Sequence, residues 1–220
     1  MQAEPVKALA RRGRGGRPPA KDAGDVDRRI LDAAAHQFAK LGFDATSCEQ
    51  IVLEAGAGKA SLYARYANKE ALFAAVVRDH VERTQAPAEV PVDLPLRARL
   101  HAVGRAILDR ALQPDAVALM RVVLTTAHRM ADLARLADQM GRDDAVRRVG
   151  ASITAGSPTR ANDTIAALRL ANKFVDLAYV PIQMRALLGD DPRDLADGVA
   201  RHVDEAIELL AKGGWLDGWA

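Results

Sequence analysis

The chain has few of the residues that cross-link a fold or bind a metal. Its 220 residues include one cysteine, Cys48, which excludes an intrachain disulfide and a cysteine-based zinc finger. None of its five histidines stands four residues from another or beside the cysteine, so we expect no metal and no cofactor. No apolar run reaches the roughly 18 residues that a membrane-spanning helix needs, so we expect no membrane partner.

Aromatic residues and strand patterns are also scarce. Phe, Trp and Tyr together make up 4% of the chain, and no segment shows the apolar–polar alternation of a half-buried strand. The basic N-terminus lacks the apolar stretch of a signal peptide. No ordered Ser/His/Asp or Cys/His set indicates a catalytic site. These absences predict a soluble, cytoplasmic, all-α protein that is not an enzyme.

Positive charge is concentrated at the N-terminal end. The formal net charge is +2, yet residues 1–21 hold six basic side chains against one acidic side chain, a local charge of 6 − 1 = +5. Such a bias indicates an anionic partner, either nucleic acid or a lipid surface, or else a solvated tail. Within a flexible arm over 1–24, Arg14 and Arg17 flank glycines and precede two prolines. This pattern resembles AT-hook-like arms that enter the minor groove, although a plain linker fits it equally well.

Helical periodicity begins at Asp25. Apolar residues then recur every three or four positions until Gly42, which we interpret as the end of the first helix. Thr46 precedes Glu49 by three residues, which predicts a capping box at the start of a short second helix. Gly56 interrupts that helix.

Two further helices complete an N-terminal domain that we place at 25–86. The third helix is predicted from about Gly58 to Tyr66, and Asn68 is the expected cap of the fourth. Prolines at 87, 91 and 95 then separate this block from a helical domain over 95–212 and a tail over 213–220. Five more helices are predicted in the second domain, at 96–112, 115–129, 131–148, 160–188 and 193–211, with Pro181 expected to kink or loosen the fourth of them. The total is about nine helices.

The segment from Thr46 to Lys69 is typical of a helix-turn-helix. Two short helices joined by a glycine-containing turn place the second helix in the major groove of DNA. The landmarks over residues 26–77 include Arg29 to Ala34, Phe38, Leu41-Gly42-Phe43, Thr46-Ser47, Ile51, Ala55-Gly56-Ala57 and Leu62 to Phe73. In this order they resemble the DNA-binding domain of TetR-type bacterial transcriptional regulators. The region from about 104 to 148 is similar, more loosely, to the AefR-like ligand-binding domain of one TetR subgroup.

The resemblance implies roles for individual residues in binding a double-stranded DNA operator. Thr46 and Ser47 are expected at phosphates, from the start of the second helix. Three residues of the recognition helix are expected at bases or nearby phosphates: Lys59, Ala60 and Ser61. Three others are expected to clamp the DNA backbone: Tyr63, Tyr66 and Lys69. Gly58 departs from the family pattern, which usually has a serine or threonine cap there.

The same resemblance implies an effector cavity and a homodimer built from the last two helices. The residues expected to line the cavity are Met120, Val123, Leu124, Thr126, Phe174, Leu177 and Met184. Dimerisation also follows from the motif, because a lone helix-turn-helix makes few base contacts and two copies read half-sites about one helical turn apart.

These observations predict a ligand-responsive dimeric repressor that a small apolar or amphipathic molecule releases from its operator. One rival is an architectural DNA-binding protein that acts through the basic arm without an effector. The other is a helical enzyme with a buried site, which the lack of a catalytic constellation disfavours.

Overall fold

The computed structural model describes residues 20–84, 93–155 and 161–219, and within these ranges all regular structure is helical. The predicted all-α fold is therefore confirmed. The described ranges contain nine helices: α1 (Ala20–Ala45), α2 (Cys48–Glu54), α3 (Lys59–Tyr63), α4 (Lys69–Thr84), α5 (Leu96–Ala111), α6 (Pro114–Thr126), α7 (Ala131–Thr154), α8 (Ala161–Leu188) and α9 (Pro192–Lys212).

Helix α1 starts five residues earlier than the apolar pattern predicts. It begins at Ala20 rather than Asp25, so its first turn lies inside the segment assigned to the basic arm. Arg14 and Arg17 lie outside the described residues. At the other end, Gly42 has φ +79°, a conformation that glycine adopts without steric cost, and it breaks the helical path as predicted.

The cap of α2 is one residue away from its predicted position. Ser47, not Thr46, is the N-cap, and Gln50, not Glu49, completes the capping box. Ser47 Oγ accepts from the backbone N–H of Gln50 at 3.2 Å, and the Gln50 side chain accepts from the Ser47 N–H at 2.9 Å. The Thr46 hydroxyl instead donates to the carbonyl of Gly42 at 2.7 Å, inside the domain. Of these two adjacent hydroxyls, that of Thr46 is therefore bound inside the domain and that of Ser47 caps the helix.

The turn into the recognition helix depends on glycine. Gly56 has φ +58°, and Gly58 is the N-cap of α3 without a side-chain hydrogen bond. Helix α3 ends at Tyr63, three residues before the predicted end. The predicted cap of α4 is confirmed, because Asn68 Oδ1 accepts from the N–H of Ala71 at 2.7 Å.

Three phenylalanines form the centre of the N-terminal core. The Phe38 ring lies 4.9 Å from that of Phe73 in an edge-on arrangement, and Phe43 lies within 5.7 Å of both. Such aromatic pairs add specific contact energy to the burial of their area. The same buried cluster continues into the second half of the chain through Leu119 and Leu133. Helices α6 and α7 therefore pack directly on the helix-turn-helix domain.

A second core joins α5, α7, α8 and α9. Phe174 of α8 packs against Gly104 of α5, where a β-carbon would lie 2.7 Å from the ring. Helix α8 continues past Pro181 as far as Leu188. Two predicted boundaries differ from the structure, since α6 ends at Thr126 and α7 extends to Thr154. Across the described ranges, no helix combines the length and apolar character needed to cross a bilayer.

Candidate nucleic-acid interface and internal cavity

Helix α3 presents a small polar face. Leu62 is fully buried and anchors the helix, whereas Lys59, Ala60 and Tyr63 are exposed and Ser61 is half-buried. The structure therefore brings these predicted contact residues together on one short helix. A surface with one cation, one phenol and small side chains can approach a DNA groove closely.

Lys59 forms an ion pair beside this face. Its Nζ lies 2.7 Å from Glu49 Oε1 of α2, and both side chains are 58% exposed. The hydrogen bond raises the pKa of Lys59 and lowers the pKa of Glu49. Because the pair is solvated, it contributes little to stability and Lys59 can exchange Glu49 for a phosphate.

The two tyrosines have different surroundings. Tyr63 is half exposed at the surface of α3, where the neighbouring Cys48 raises its pKa. The Tyr66 hydroxyl instead donates to Asp27 Oδ1 of α1 at 2.8 Å, and burial together with that bond raises its pKa. We expected both hydroxyls at the rim. Tyr66 departs from this expectation because its hydroxyl joins the end of the motif to α1.

Lys69 also differs from its expected role. Its Nζ donates to the carbonyls of Phe43 at 2.9 Å and Thr46 at 3.0 Å, with the Asp44 carbonyl at 3.4 Å. The ammonium also lies 4.6 Å from the centre of the Phe43 ring. In this structure the charge stabilises the turn between α1 and α2 rather than facing outward.

The two residues predicted to contact phosphates at the start of α2, Thr46 and Ser47, have different surroundings. Thr46 is 2% exposed, so its buried hydroxyl is not presented to DNA. Ser47 is half-buried at the helix N-terminus, where the helix dipole and the first N–H groups favour an anion. Ser47 keeps its expected position.

A cavity of about 110 Å³, partly open to solvent, lies between the two halves of the chain. Helices α4 to α8 all contribute to its wall. Its apolar lining consists of Val77, Val81, Ile107, Ala111, Ala116, Val117, Leu119, Met120, Val123, Ala137, Gly141, Ala145 and Leu187. Such a wall suits an apolar or amphipathic small molecule.

Polar side chains line the same cavity: His80, Arg110, Asp144, Arg148, Tyr179 and Gln183. Arg148 Nε donates to Asp144 Oδ2 at 2.5 Å, one turn apart on α7, and their side chains are 13% and 15% exposed. Burial lowers the pKa of Arg110, and the neighbouring Arg148 lowers it further. Burial also raises the pKa of Tyr179, which keeps its hydroxyl protonated as a donor. For His80, burial lowers the pKa.

Two of the seven predicted cavity residues line it, Met120 and Val123. Leu124 is 48% exposed, and the buried Thr126 hydroxyl donates back to the Val122 carbonyl at 2.9 Å. Phe174 lies in the second core against Gly104. Leu177 and Met184 lie on the exposed side of α8. These five lie outside the lining of this cavity, because an apolar stripe does not show which neighbour it faces.

The charged lining was missed, although one signal was present. Asp144 and Arg148 stand four residues apart on a helix, the spacing of a side-chain ion pair, within a segment that also carries buried Ala145 and Val149. A charge pair beside such apolar positions indicates a partly buried polar group.

Two family models match the chain. One, described as bacterial regulatory proteins of the tetR family, matches residues 30–76. The other, the C-terminal domain of AefR-like transcriptional repressors, matches 98–212, just over half of the chain. The chain belongs to the TetR family. It is therefore a DNA-binding transcriptional regulator, in a family of regulators rather than enzymes.

Solved structures of TetR-family regulators share the fold. One from Mesorhizobium loti is 21% identical, with a TM-score of 0.71, over 86% of this chain and 97% of that one. The flavonoid-responsive regulator FrrA is 24% identical, with a TM-score of 0.65 and the same coverage of both chains. The HTH-type transcriptional regulator YhgD of Bacillus subtilis is 30% identical over 88 residues, which are 38% of this chain and 46% of that relative. The match thus spans less than half of YhgD.

In this TetR-family chain, two contacts connect the cavity to the DNA-binding motif. Helix α4 carries cavity residues in its middle turns and, at its start, Lys69, which holds the turn before α2. Arg129, in the turn after α6, lies 2.7 Å from Asp44 of that same turn. Helix α4 and the turn after α6 therefore both contact the segment that precedes α2.

Proposed function

We propose that this TetR-family regulator is a dimeric repressor that a small apolar or amphipathic effector releases from its operator. The observation that carries the proposal is the shared helix α4. It supplies Val77, His80 and Val81 to the cavity, and its first residue binds carbonyls of the turn between α1 and α2. A ligand that favours a different position of α4 changes the spacing of the two recognition helices. Release follows only if the two positions bind the ligand with different affinity.

The operator contact that we propose is centred on α3. Lys59, Ala60, Ser61 and Tyr63 face the groove, and Ser47 meets a phosphate at the start of α2. Lys59 leaves Glu49 for the DNA backbone. The basic arm, with Arg14 and Arg17, adds minor-groove contacts in this proposal. Such a protein acts where its operator lies, and we place it in the cytoplasm.

Dimerisation through α8 is supported by an exposed apolar stripe. Leu177, Val180, Met184 and Leu188 follow one another at spacings of three and four and are 36% to 79% exposed. Contiguous apolar surface of this kind is typical of protein interfaces. Two copies joined there present two recognition helices, as a palindromic operator requires.

The effector class is supported by the cavity and by one relative. The wall is mainly aliphatic with a few polar groups, which is typical of sites for small organic molecules. FrrA, which shares the fold, is described as flavonoid-responsive. We infer a small organic effector for this chain from its own cavity.

Filling the cavity tests the proposal. Gly141 of α7 lines it, and a β-carbon there would lie 4.0 Å from the Tyr179 hydroxyl. Gly141→Met extends a flexible side chain into the cavity, whereas the control Gly141→Ala adds one carbon. We expect a panel of apolar acids, phenols and alcohols to release a fluorescent operator from wild type and Gly141→Ala, but not from Gly141→Met. Equal release from all three, measured by anisotropy, would contradict an effector site in this cavity.

A further inference from the structure

The charged side chains of the cavity lining already interact with other groups of the protein. Arg148 and Asp144 form an ion pair at 2.5 Å, one turn apart on α7. Arg110 and His80 have interaction partners within the chain as well. A ligand that took one of these groups would first have to displace its partner, and breaking a partly buried ion pair is unfavourable. We therefore look for recognition at the uncharged polar groups of the lining.

Tyr179 and Gln183 of α8 are those uncharged groups. Both side chains line the cavity and both are half-buried. Within the part of the chain that the structure describes, neither the Tyr179 hydroxyl nor the Gln183 amide forms a hydrogen bond. Polar groups withdrawn from bulk water are nearly always hydrogen-bonded, so both need a partner in the cavity, either water or a ligand.

The two side chains are neighbours on one face of α8. They stand four residues apart, a spacing that puts β-carbons about 5–6 Å from each other on a helix. Leu187, one turn further on, lines the same cavity. The Tyr179 hydroxyl reaches the α7 wall, because it lies 4.0 Å from the position of a β-carbon built on Gly141. One ligand oxygen can therefore accept from the Tyr179 O–H and also bond to the Gln183 amide.

The electrostatic surroundings of Tyr179 favour an uncharged ligand there. Burial raises the pKa of the Tyr179 hydroxyl, and the carboxylates of Asp138 and Asp144 raise it further. The hydroxyl thus stays a donor at neutral pH, and the same two carboxylates would repel an anion bound to it. A cation is disfavoured because Arg148 already holds the carboxylate of the lining, that of Asp144.

The rest of the lining limits the size of the ligand. The cavity volume is about 110 Å³, of the same order as an engineered cavity that accepts one benzene ring. Helices α4 and α6 supply an aliphatic wall that includes Val77, Met120 and Val123. Moving an ionised group against such a wall costs hydration that the wall does not replace.

We propose that the cavity binds a compact, uncharged oxygen compound, a ketone, alcohol or phenol with one ring or a short chain, whose oxygen is held by Tyr179 and Gln183. This inference rests on the proposed function, because it names the chemical class of the effector at the same cavity. It goes further by assigning recognition to two side chains of α8.

Three molecules of nearly equal shape test the class. Acetophenone has a carbonyl oxygen, α-methylstyrene has a methylene group in its place, and benzoate has a carboxylate. Binding to the full-length protein is followed by nuclear magnetic resonance of isotope-labelled methionine methyl groups, because Met120 lines the cavity. We expect acetophenone to shift the Met120 signal and benzoate to bind about tenfold more weakly. No shift with millimolar acetophenone, or benzoate affinity equal to or above that of acetophenone, would overturn the proposal.

Variants test the two side chains. Tyr179→Phe and Gln183→Leu should each weaken acetophenone binding about fivefold and leave α-methylstyrene binding unchanged, since only the ketone accepts a hydrogen bond. The control Gln139→Leu changes an exposed glutamine of α7 outside the lining and should bind acetophenone as wild type does. An equal loss for both ligands, or no loss for acetophenone in either variant, would overturn the assignment.

Thermal unfolding separates ligand recognition from a structural role of Tyr179. Tyr179→Phe should unfold at the temperature of wild type, because no described group bonds to the hydroxyl that it removes. A clearly lower unfolding temperature would show that the hydroxyl serves the fold and would overturn its assignment to a ligand. The Gln183→Leu comparison and the wild-type series do not depend on this variant.

Operator release separates this inference from the function on which it rests. Acetophenone that binds with the expected dependence on Tyr179 and Gln183 but leaves operator affinity unchanged would contradict the effector role and support the site. Operator release by acetophenone that is equal in wild type and in both variants would support the regulator and overturn the site.

Discussion

At the scale of single residues, the role of a hydroxyl group depends on its hydrogen-bond partner. Tyr63 and Tyr66 are three positions apart and chemically identical, yet the Tyr63 side chain is 50% exposed and the Tyr66 hydroxyl is bound to Asp27. Thr46 and Ser47 differ in the same way, because the Thr46 hydroxyl is bound in the interior and the Ser47 hydroxyl caps α2. The exposed polar residues of the motif are therefore fewer than its polar residues as a whole.

Removing each tyrosine hydroxyl separates the two roles. Tyr66→Phe should lower the free energy of unfolding by about 1 kcal/mol, since it deletes the bond to Asp27, and leave operator affinity unchanged. Tyr63→Phe should leave stability within about 0.5 kcal/mol and weaken operator binding about fivefold. Urea denaturation and operator titration check both. The reverse pattern would assign the phosphate contact to Tyr66.

Glu54 should make stability depend on acid pH. Hydrogen bonds from Gln37 and from His36, at 2.6 Å, lower the pKa of Glu54 below its ordinary value of 4.5. A lowered folded-state pKa gives stabilisation that is complete above the unfolded pKa and lost as pH falls through the folded one. Because the side chain is 34% exposed, the contribution should stay below about 1 kcal/mol.

The corresponding measurement is the free energy of unfolding of Glu54→Gln against pH. We expect the variant to be less stable than wild type at neutral pH and equal to it once Glu54 is protonated in both states. Gln37→Ala should reduce the same pH-dependent difference. A loss in the free energy of unfolding that stays constant down to strongly acid pH would show that Glu54 acts through packing.

At the scale of helices, the stop within α1 and the cap of α4 were predicted correctly from local signals, whereas the cap of α2 was placed one residue early and long-range partners were not predicted. Gly42 and Asn68 were predicted as stop and cap, because both act on backbone within four residues. The intramolecular acceptors of Lys69 were not predicted, because they lie 23 to 26 residues away, where no local pattern reaches. Five of the seven residues predicted at the cavity lie outside its lining for the same reason, since only packing shows which side of α8 faces another helix.

Two helical glycines should respond in opposite ways to alanine. At Gly104 the new β-carbon would lie 2.7 Å from Phe174, a buried ring, and we expect a loss of about 1–3 kcal/mol. At Gly141 the new β-carbon would lie 4.0 Å from the Tyr179 hydroxyl, an ordinary contact distance, so Gly141→Ala should raise stability by about 0.5–1 kcal/mol through helix propensity. Thermal unfolding of both variants checks this. Equal shifts of the unfolding temperature in the two variants would show that the contact between α5 and Phe174 of α8 adjusts to the added β-carbon.

At the scale of the whole molecule, α4 and α6 contribute both to the cavity wall and to the core of the N-terminal domain. The N-terminal core extends into α6 and α7, and Arg129 contacts the turn before α2. The cavity therefore lies within the same packing that positions the recognition helix. Dimerisation, which we propose, would turn a small displacement in each copy into a change in the distance between two such helices.

The dimer face can be tested with two residues of equal exposure. Met184 on α8 and Leu124 on α6 are each 48% exposed. Met184→Glu places a charge in the proposed interface and should yield monomers in sedimentation equilibrium with a large loss of operator affinity. Leu124→Glu should remain dimeric. Dimers in both variants would contradict the assignment of the interface to the α8 stripe.

Selection of bound DNA from a random duplex pool, at near-physiological salt, tests the central claim most directly. A dimeric helix-turn-helix regulator should enrich a palindrome whose half-sites are centred about one helical turn apart. Salt-sensitive binding without any enriched sequence would contradict that claim and favour an architectural DNA-binding protein that acts through its basic arm.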